Sequence, residues 1–229
     1  MALEAKLAST TIPIVFLAGS DPVGLGLVAS LARPGGNLTG INFFAAELEA
    51  KRLELLRELV PTATRSAVLI NPANPVNVES TRLRDFETAA RALALQIEFL
   101  RSSTSREIES AFATFARERP DAIFVANDGF FNSRRVQLVQ QAAHYRVPAI
   151  YTGREYSEIG GLISYGANIT DTYRQVGVYT GRILKGATPS DLPVVQSTKF
   201  ELVINLKTAK ALSLDVPWFL QQRADEVIE

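Results

Sequence analysis

Few side chains in this sequence could carry covalent chemistry. There is no cysteine and a single histidine, His144, so thiol catalysis, disulfides and the usual zinc sites lack their ligands. A serine hydrolase would need His144 as its base, but this residue closes the helical stretch Gln140-Gln141-Ala142-Ala143-His144-Tyr145, where an imidazole sits favourably in solvent at a helix C-terminus. Glu155 and Glu158 could do acid–base work only if something fixed their separation, and nothing in the chain around them does. Gly24-Leu25-Gly26, followed by Ala29, has the glycine pattern of a dinucleotide site. Asp21-Pro22-Val23 intervenes, however, so the tight strand-to-helix turn is lost and the glycines read as helix packing. Gly186 follows Lys185 rather than preceding it, which removes a phosphate loop, and the sequons at Asn37 and Asn168 are too short to carry meaning. No catalytic residue, metal site or cofactor is expected.

The chemistry that remains is that of binding. Apolar runs end repeatedly in polar turn residues: Ser20-Asp21-Pro22, Asn42, Asn71-Pro72, Asn127-Asp128-Gly129 and Gly166-Ala167-Asn168. Any one of these is adequately explained as a cap for the next helix. Their recurrence, mixed with Phe43, Phe44, Phe130, Phe131, Tyr151, Tyr156 and Tyr165, favours a small-molecule site with rings available for stacking.

The elements that must position these residues follow from the apolar pattern. Short β-branched runs at 12–17, 38–41, 66–70, 96–100, 122–126, 148–151, 162–165 and 201–204 read as strands. Between them, 47–59, 76–94, 105–118, 133–145 and 170–185 read as amphipathic helices. In the first, Leu48, Leu53, Leu55, Leu56 and Leu59 lie on one face and the charged residues on the other. Gly186 serves as a left-handed cap. Strand and helix alternate, so the class is α/β, and open parallel sheets bind ligands at the carboxyl ends of their strands. The chain has 229 residues, 47% of them hydrophobic, enough for one large domain or two small lobes. Lys plus Arg and Asp plus Glu each total 24, leaving no positive field for nucleic acid. Residues 1–11 carry Glu4 and Lys6 and too short an apolar stretch for a signal peptide.

Several segments, in order, resemble the ABC-transporter substrate-binding proteins of the type I periplasmic fold, a family with tryptophan- and phenylalanine-binding members. The resemblance is carried by Thr11-Ile12-Pro13-Ile14-Val15-Phe16 running into Ser20-Asp21-Pro22-Val23-Gly24, and by Arg33-Pro34-Gly35-Gly36-Asn37-Leu38-Thr39-Gly40. It continues through Glu54-Leu55-Leu56-Arg57-Glu58-Leu59-Val60-Pro61, Asn71-Pro72, Asn127-Asp128 and Gly181-Arg182-Ile183-Leu184-Lys185-Gly186. Glu201-Leu202-Val203-Ile204-Asn205-Leu206-Lys207-Thr208-Ala209-Lys210 and Arg223-Ala224-Asp225-Glu226-Val227-Ile228 complete it, so nearly the whole chain is covered.

The resemblance implies two doubly wound parallel-sheet lobes joined by a hinge, the first incomplete: 1–44 with 166–190 as its remnant, and 45–165 with 191–229 as the second lobe. It implies a solute-binding component of an ABC importer, periplasmic in its exported full-length form, that closes on a small organic ligand, an amino acid or an aromatic or carboxylic acid, in an inter-lobe cleft. The implied contacts are Ser20, Asp21, Asn42 and Phe43 from the first lobe and Asn71, Asn74, Asp128, Phe130, Arg154 and Tyr165 from the second. Asp128 would pair with a ligand ammonium and Arg154 would clamp a carboxylate. Phe43 stands where amino-acid-binding relatives often carry an acidic residue, which turns the expectation away from an α-amino acid and toward a more apolar or aromatic acid. The implied partners are that ligand and a membrane permease; the charge balance argues against nucleic acid, and an incomplete first lobe would expose apolar sheet edges that favour a homodimer. A cytoplasmic sensor domain of the same fold is the alternative, and an α/β enzyme using Asp128 and Asp21 a more distant one.

Overall fold

The computed structural model describes residues 2–43 and 48–229. The chain opens with α1 (Ala2–Ala8), β1 (Ile14–Ala18) and β2 (Leu38–Asn42). It continues through α2 (Glu49–Leu59), β3 (Arg65–Ile70), α3 (Pro75–Val78), α4 (Ser80–Ala92), β4 (Gln96–Arg101) and α5 (Ser105–Glu118). Then come β5 (Ala122–Val125), α6 (Gly129–Ser133), α7 (Arg135–His144), β6 (Ala149–Tyr151), α8 (Arg154–Glu158) and β7 (Ile163–Ala167). The last elements are α9 (Ile169–Leu184), β8 (Val195–Gln196), β9 (Phe200–Asn205), α10 (Leu206–Ala211), α11 (Trp218–Arg223) and β10 (Glu226–Ile228). They form two compact units, Met1–Glu47 with Ala167–Phe200, and Leu48–Gly166 with Glu201–Glu229.

The first unit holds a three-stranded sheet in the order β1-β2-β8, parallel throughout, with Ile14 opposite Leu38 and Ala18 opposite Asn42. Phe16, Ala18, Leu27, Val28, Leu38 and Val194 form its core, and α9 packs on β1 and β2. Two expectations need correction here. Residues 191–200, expected in the second lobe, lie in the first unit, because Thr39 Oγ1 donates to Leu192 O at 2.6 Å, Val194 N to Leu31 O, and β8 extends the sheet beyond β2. Gly24 and Gly26 pack no helix: residues 22–26 are a run of turns in which Gly26 has φ +67°.

The second unit holds a seven-stranded sheet in the order β10-β9-β7-β6-β5-β3-β4. Alternation along the central strands divides their side chains between two cores. Val68, Ile70, Ala122 and Phe124 face one with Leu53, Leu56, Phe86 and Ala90 of α2 and α4. Ala67, Leu69, Ile123 and Val125 face the other with Ile108 and Phe112 of α5 and Leu138 and Val139 of α7. Both faces are therefore covered, which explains why these strands read as continuous apolar runs rather than alternating ones. β3, β4, β5, β6 and β7 run parallel, so the residues that follow their C-terminal ends, Asn71 and Asp128 among them, gather along one edge.

Candidate functional site at the carboxyl ends of the strands

In the second unit the site is organised by Asp128. It lies just past β5, in extended backbone, and caps α6 by accepting a hydrogen bond from Phe130 N at 2.9 Å. Asn71 follows β3, the neighbour of β5, and its amide donates to the same oxygen, Oδ1, at 2.9 Å. Oδ2 accepts from Asn74 Nδ2 at 2.8 Å and Asn77 Nδ2 at 3.1 Å. The asparagines are fixed in turn by their carbonyl oxygens, Asn71 accepting from Ala73 N and Asn74 from Val76 N at the start of α3. Four donors therefore converge on a carboxylate that is only 4% exposed, filling the acceptor positions an ammonium group would use.

The network extends beyond these asparagines into a line of buried charges. Asn77 Oδ1 accepts from Arg82 Nη1, and Arg82 grips Glu49 through Nε at 3.1 Å and through Nη2. Glu49 opens α2 and is buried; Arg52, one turn on, is 1% exposed and donates from Nε to the carbonyl of Tyr165 at 2.7 Å. Burial pulls the Arg52 guanidinium down to about 10, and neighbouring Glu49 works against that fall. The charged face assigned to this helix is thus not wholly solvated. A signal for Arg52 existed, since it falls three, four and seven residues before Leu55, Leu56 and Leu59 and so on their stripe. Asn77, Arg82 and Glu49 carried no comparable mark.

Of the other residues expected here, Phe130 is half-buried beside this knot, with Arg134 5.9 Å above its ring, and Tyr165 is half-buried on β7. Arg154 is engaged elsewhere. It starts α8 and bonds Glu158 at 2.7 Å, Glu201 at 3.0 Å and Glu226 at 2.6 Å, with Glu158 foremost among the groups that raise its proton affinity. All three guanidinium nitrogens serve carboxylates of the protein itself, so in this arrangement it presents no open fork to a ligand carboxylate. Phe131, Tyr151 and Tyr156, expected among the ligand-facing rings, are core residues. Tyr151 and Tyr156 stack at 4.6 Å, and burial raises both phenols. Phe44 lies outside the described residues.

The first unit gathers its four expected residues at the carboxyl end of the β1–β2 pair. Asn42 ends β2 opposite Ala18 and is 2% exposed, and Phe43 N donates to Ala18 O at 2.9 Å. Asp21, exposed, folds the chain after β1 by accepting from Val23 N and Gly24 N at 3.0 and 2.9 Å, with half-buried Ser20 beside it. Among the described residues no group of three or more His, Asp or Glu is arranged to hold a metal ion.

The family of ABC transporter substrate binding proteins matches residues 2–228. The chain belongs to that family. Its fold is accordingly of the type I periplasmic-binding kind. A tyrosine-binding protein of Clostridioides difficile (strain R20291) is 29% identical over 216 residues, which are 93% of this chain; the chain spans 60% of that relative's length. Among solved structures, an ABC domain of Streptococcus pneumonia in complex with L-Trp is 28% identical, with a TM-score of 0.86 over 99% of this chain and 75% of that one. A conserved domain protein of Vibrio cholerae O1 biovar El Tor, also 28% identical, gives 0.87 over the same shares. Members of this family are substrate-binding proteins, and the ligand-bound relative holds L-Trp.

Proposed function

We propose that this substrate-binding protein is the solute receptor of an ABC importer and takes an aromatic amino acid between its two units, delivering it from outside the cytoplasm to a membrane permease. The observation that carries the reading is the family match across residues 2–228; the tyrosine-binding and L-Trp-bound relatives give the ligand class. The ligand's polar groups meet Ser20, Asp21 and Asn42 from the first unit and Asn71 and Asn74 from the second. Each of these asparagines of the second unit keeps one amide hydrogen beyond those it spends on Asp128. Phe43, Phe130 and Tyr165, all half-buried, supply rings for the aromatic side chain. Self-association belongs to the same reading, through β1, whose five apolar residues form one edge of the first unit's sheet.

Thermal unfolding in L-Tyr, L-Trp and L-Phe, each against L-Ala and L-Glu, tests the ligand class. A ligand present at 100 times its Kd stabilises the folded state by about 2.7 kcal/mol, enough to move the midpoint by several degrees. The expected result is a concentration-dependent rise with at least one aromatic amino acid and none with the controls. No rise with any of the three at about 1 mM sinks the proposal.

A further inference from the structure

We infer that Asp128 is a positioning residue and that Arg82, acting through Asn77, holds it and its asparagines in the geometry a ligand meets. Asp128 was the natural counter-charge for an ammonium group on sequence grounds, yet every acceptor position of its carboxylate is filled from within the unit. What the carboxylate does is fasten two separate strand tips together, Asn71 after β3 and Phe130 at the start of α6, along with the turn that carries Asn74. Asn77, on α3, is the member of this knot that joins it to a further charged pair. It is 1% exposed, gives its amide to Asp128 and takes a hydrogen bond from Arg82.

Arg82 can hold Asn77 because Glu49 holds Arg82. The pair is two-pronged and nearly sealed, with side chains 11% and 9% exposed, and its members stand 33 residues apart on α4 and α2. Arg52, fully buried, lies against the same glutamate and reaches the Tyr165 carbonyl. Two carboxylates and two guanidiniums thus run in one buried line from the strand tips of β3 and β5 to the start of α2 and the end of β7. Glu49 and Tyr165 are next in sequence to Leu48 and Gly166, where the second unit's first segment begins and ends. A pair of this kind contributes little net stability compared with apolar residues of equal size, so its role here is to dictate a single orientation for the groups attached to it.

This inference concerns the site under the preceding heading, and its binding arm rests on that reading. The experiment replaces the pair with Glu49→Met and Arg82→Met together, which removes the relay without stranding either charge. Two measurements follow. Amide hydrogen exchange of Ala73, Val76 and Phe130, whose N–H groups bond the side chains of Asn71, Asn74 and Asp128, is compared with that of Glu107, bonded to Thr104 on α5. Affinity for the aromatic amino acid that stabilises the parent protein is measured by calorimetry. The expected result is exchange faster by about tenfold at the first three amides and unchanged at Glu107, with Kd weaker by about tenfold in a variant whose urea midpoint stays near the parent's. Unchanged exchange at the three amides overturns the inference, as does unchanged affinity in a folded variant. Should the double substitution fail to fold, Arg82→Lys, which keeps the charge but not the two-pronged grip, is read by the same criteria. A parent protein that binds no aromatic amino acid counts against the proposed function, while the exchange measurement still decides the relay.

Discussion

Asp171 shows how a single side chain can make one unit sensitive to acid. It sits in the first turn of α9, where the helix N-terminus favours a negative charge, and is bonded by Lys199, Gln175 and Arg174. Those three groups, Lys199 first, hold its carboxyl well below the ordinary value of 3.8. Because the folded value is depressed, the unfolded chain binds the extra proton first. The contribution to stability is complete above 3.8 and is lost as pH falls through the lower folded value. Glu107 is lowered the same way by Ser103 and Thr104, and Asp121 by Thr64 and Arg65 against an opposing effect of burial. Melting curves between pH 2 and 7 should therefore fall steeply at the acid end, about where carboxylates titrate. Asp171→Asn should melt lower at neutral pH and lose part of that steepness; a variant whose acid limb matches the parent's would contradict this account. Among individual residues, the sequence disclosed those whose neighbours in the chain announce them. Asn71 and Asp128 stand at the ends of apolar runs, before a proline and a glycine. Glu49 and Arg82 meet only in the folded unit, and nothing local distinguishes a buried charge from a solvated one.

Strands and helices were more readable than their exact ends or their shortest members. The central strands announced themselves because burial on both faces demands unbroken apolar runs. β8 has two residues and β10 three, too few to show a period, and neither is among the expected strands. The expected helix over 76–94 is broken at Glu79, whose ψ of 128° separates α3 from α4, and the stretch over 133–145 contains a break at Arg134 between α6 and α7. By contrast 105–118 is met to the residue, because Thr104 and Glu107 cap each other at its start. β2 depends on a close approach that only glycine allows. At Gly40, opposite Phe16 in the β1–β2 ladder, an added Cβ would run into the Phe16 carbonyl oxygen and ring. Backbone cannot step aside as a side chain does, so Gly40→Ala should destabilise the first unit by about 2 kcal/mol or more in urea titrations. A loss below about 0.5 kcal/mol, the range of neutral surface changes, would show that the strands part more easily than this packing implies.

The two units are unequally built, and their stabilities should differ. The first rests on one small core cluster, built around Phe16, Leu27, Val28 and Leu38, against three strands, while the second encloses a seven-stranded sheet between two much larger cores. The first unit also leaves Leu7 and Leu184 more than four-fifths exposed, and among the described residues no strand pairs with the outer side of β1. Hydrophobic stabilisation follows apolar area removed from water, at about 25 cal/mol per Å², so the smaller core has far less to set against the entropy of its chain. The first unit should open as a separate cooperative piece before the second unfolds. Hydrogen exchange in increasing urea would reveal the order: amides of β1, β2 and α9 should lose protection while those of β3 and β5 keep theirs. Simultaneous loss would mean that the units unfold as one. A ligand held by residues of both units must change this order, because it stabilises only the state in which both are folded. Adding a stabilising aromatic amino acid should therefore protect β1, β2 and α9 most, bringing the two losses closer together. Protection gained in the second unit alone would place the ligand there and remove Ser20, Asp21, Asn42 and Phe43 from its contacts.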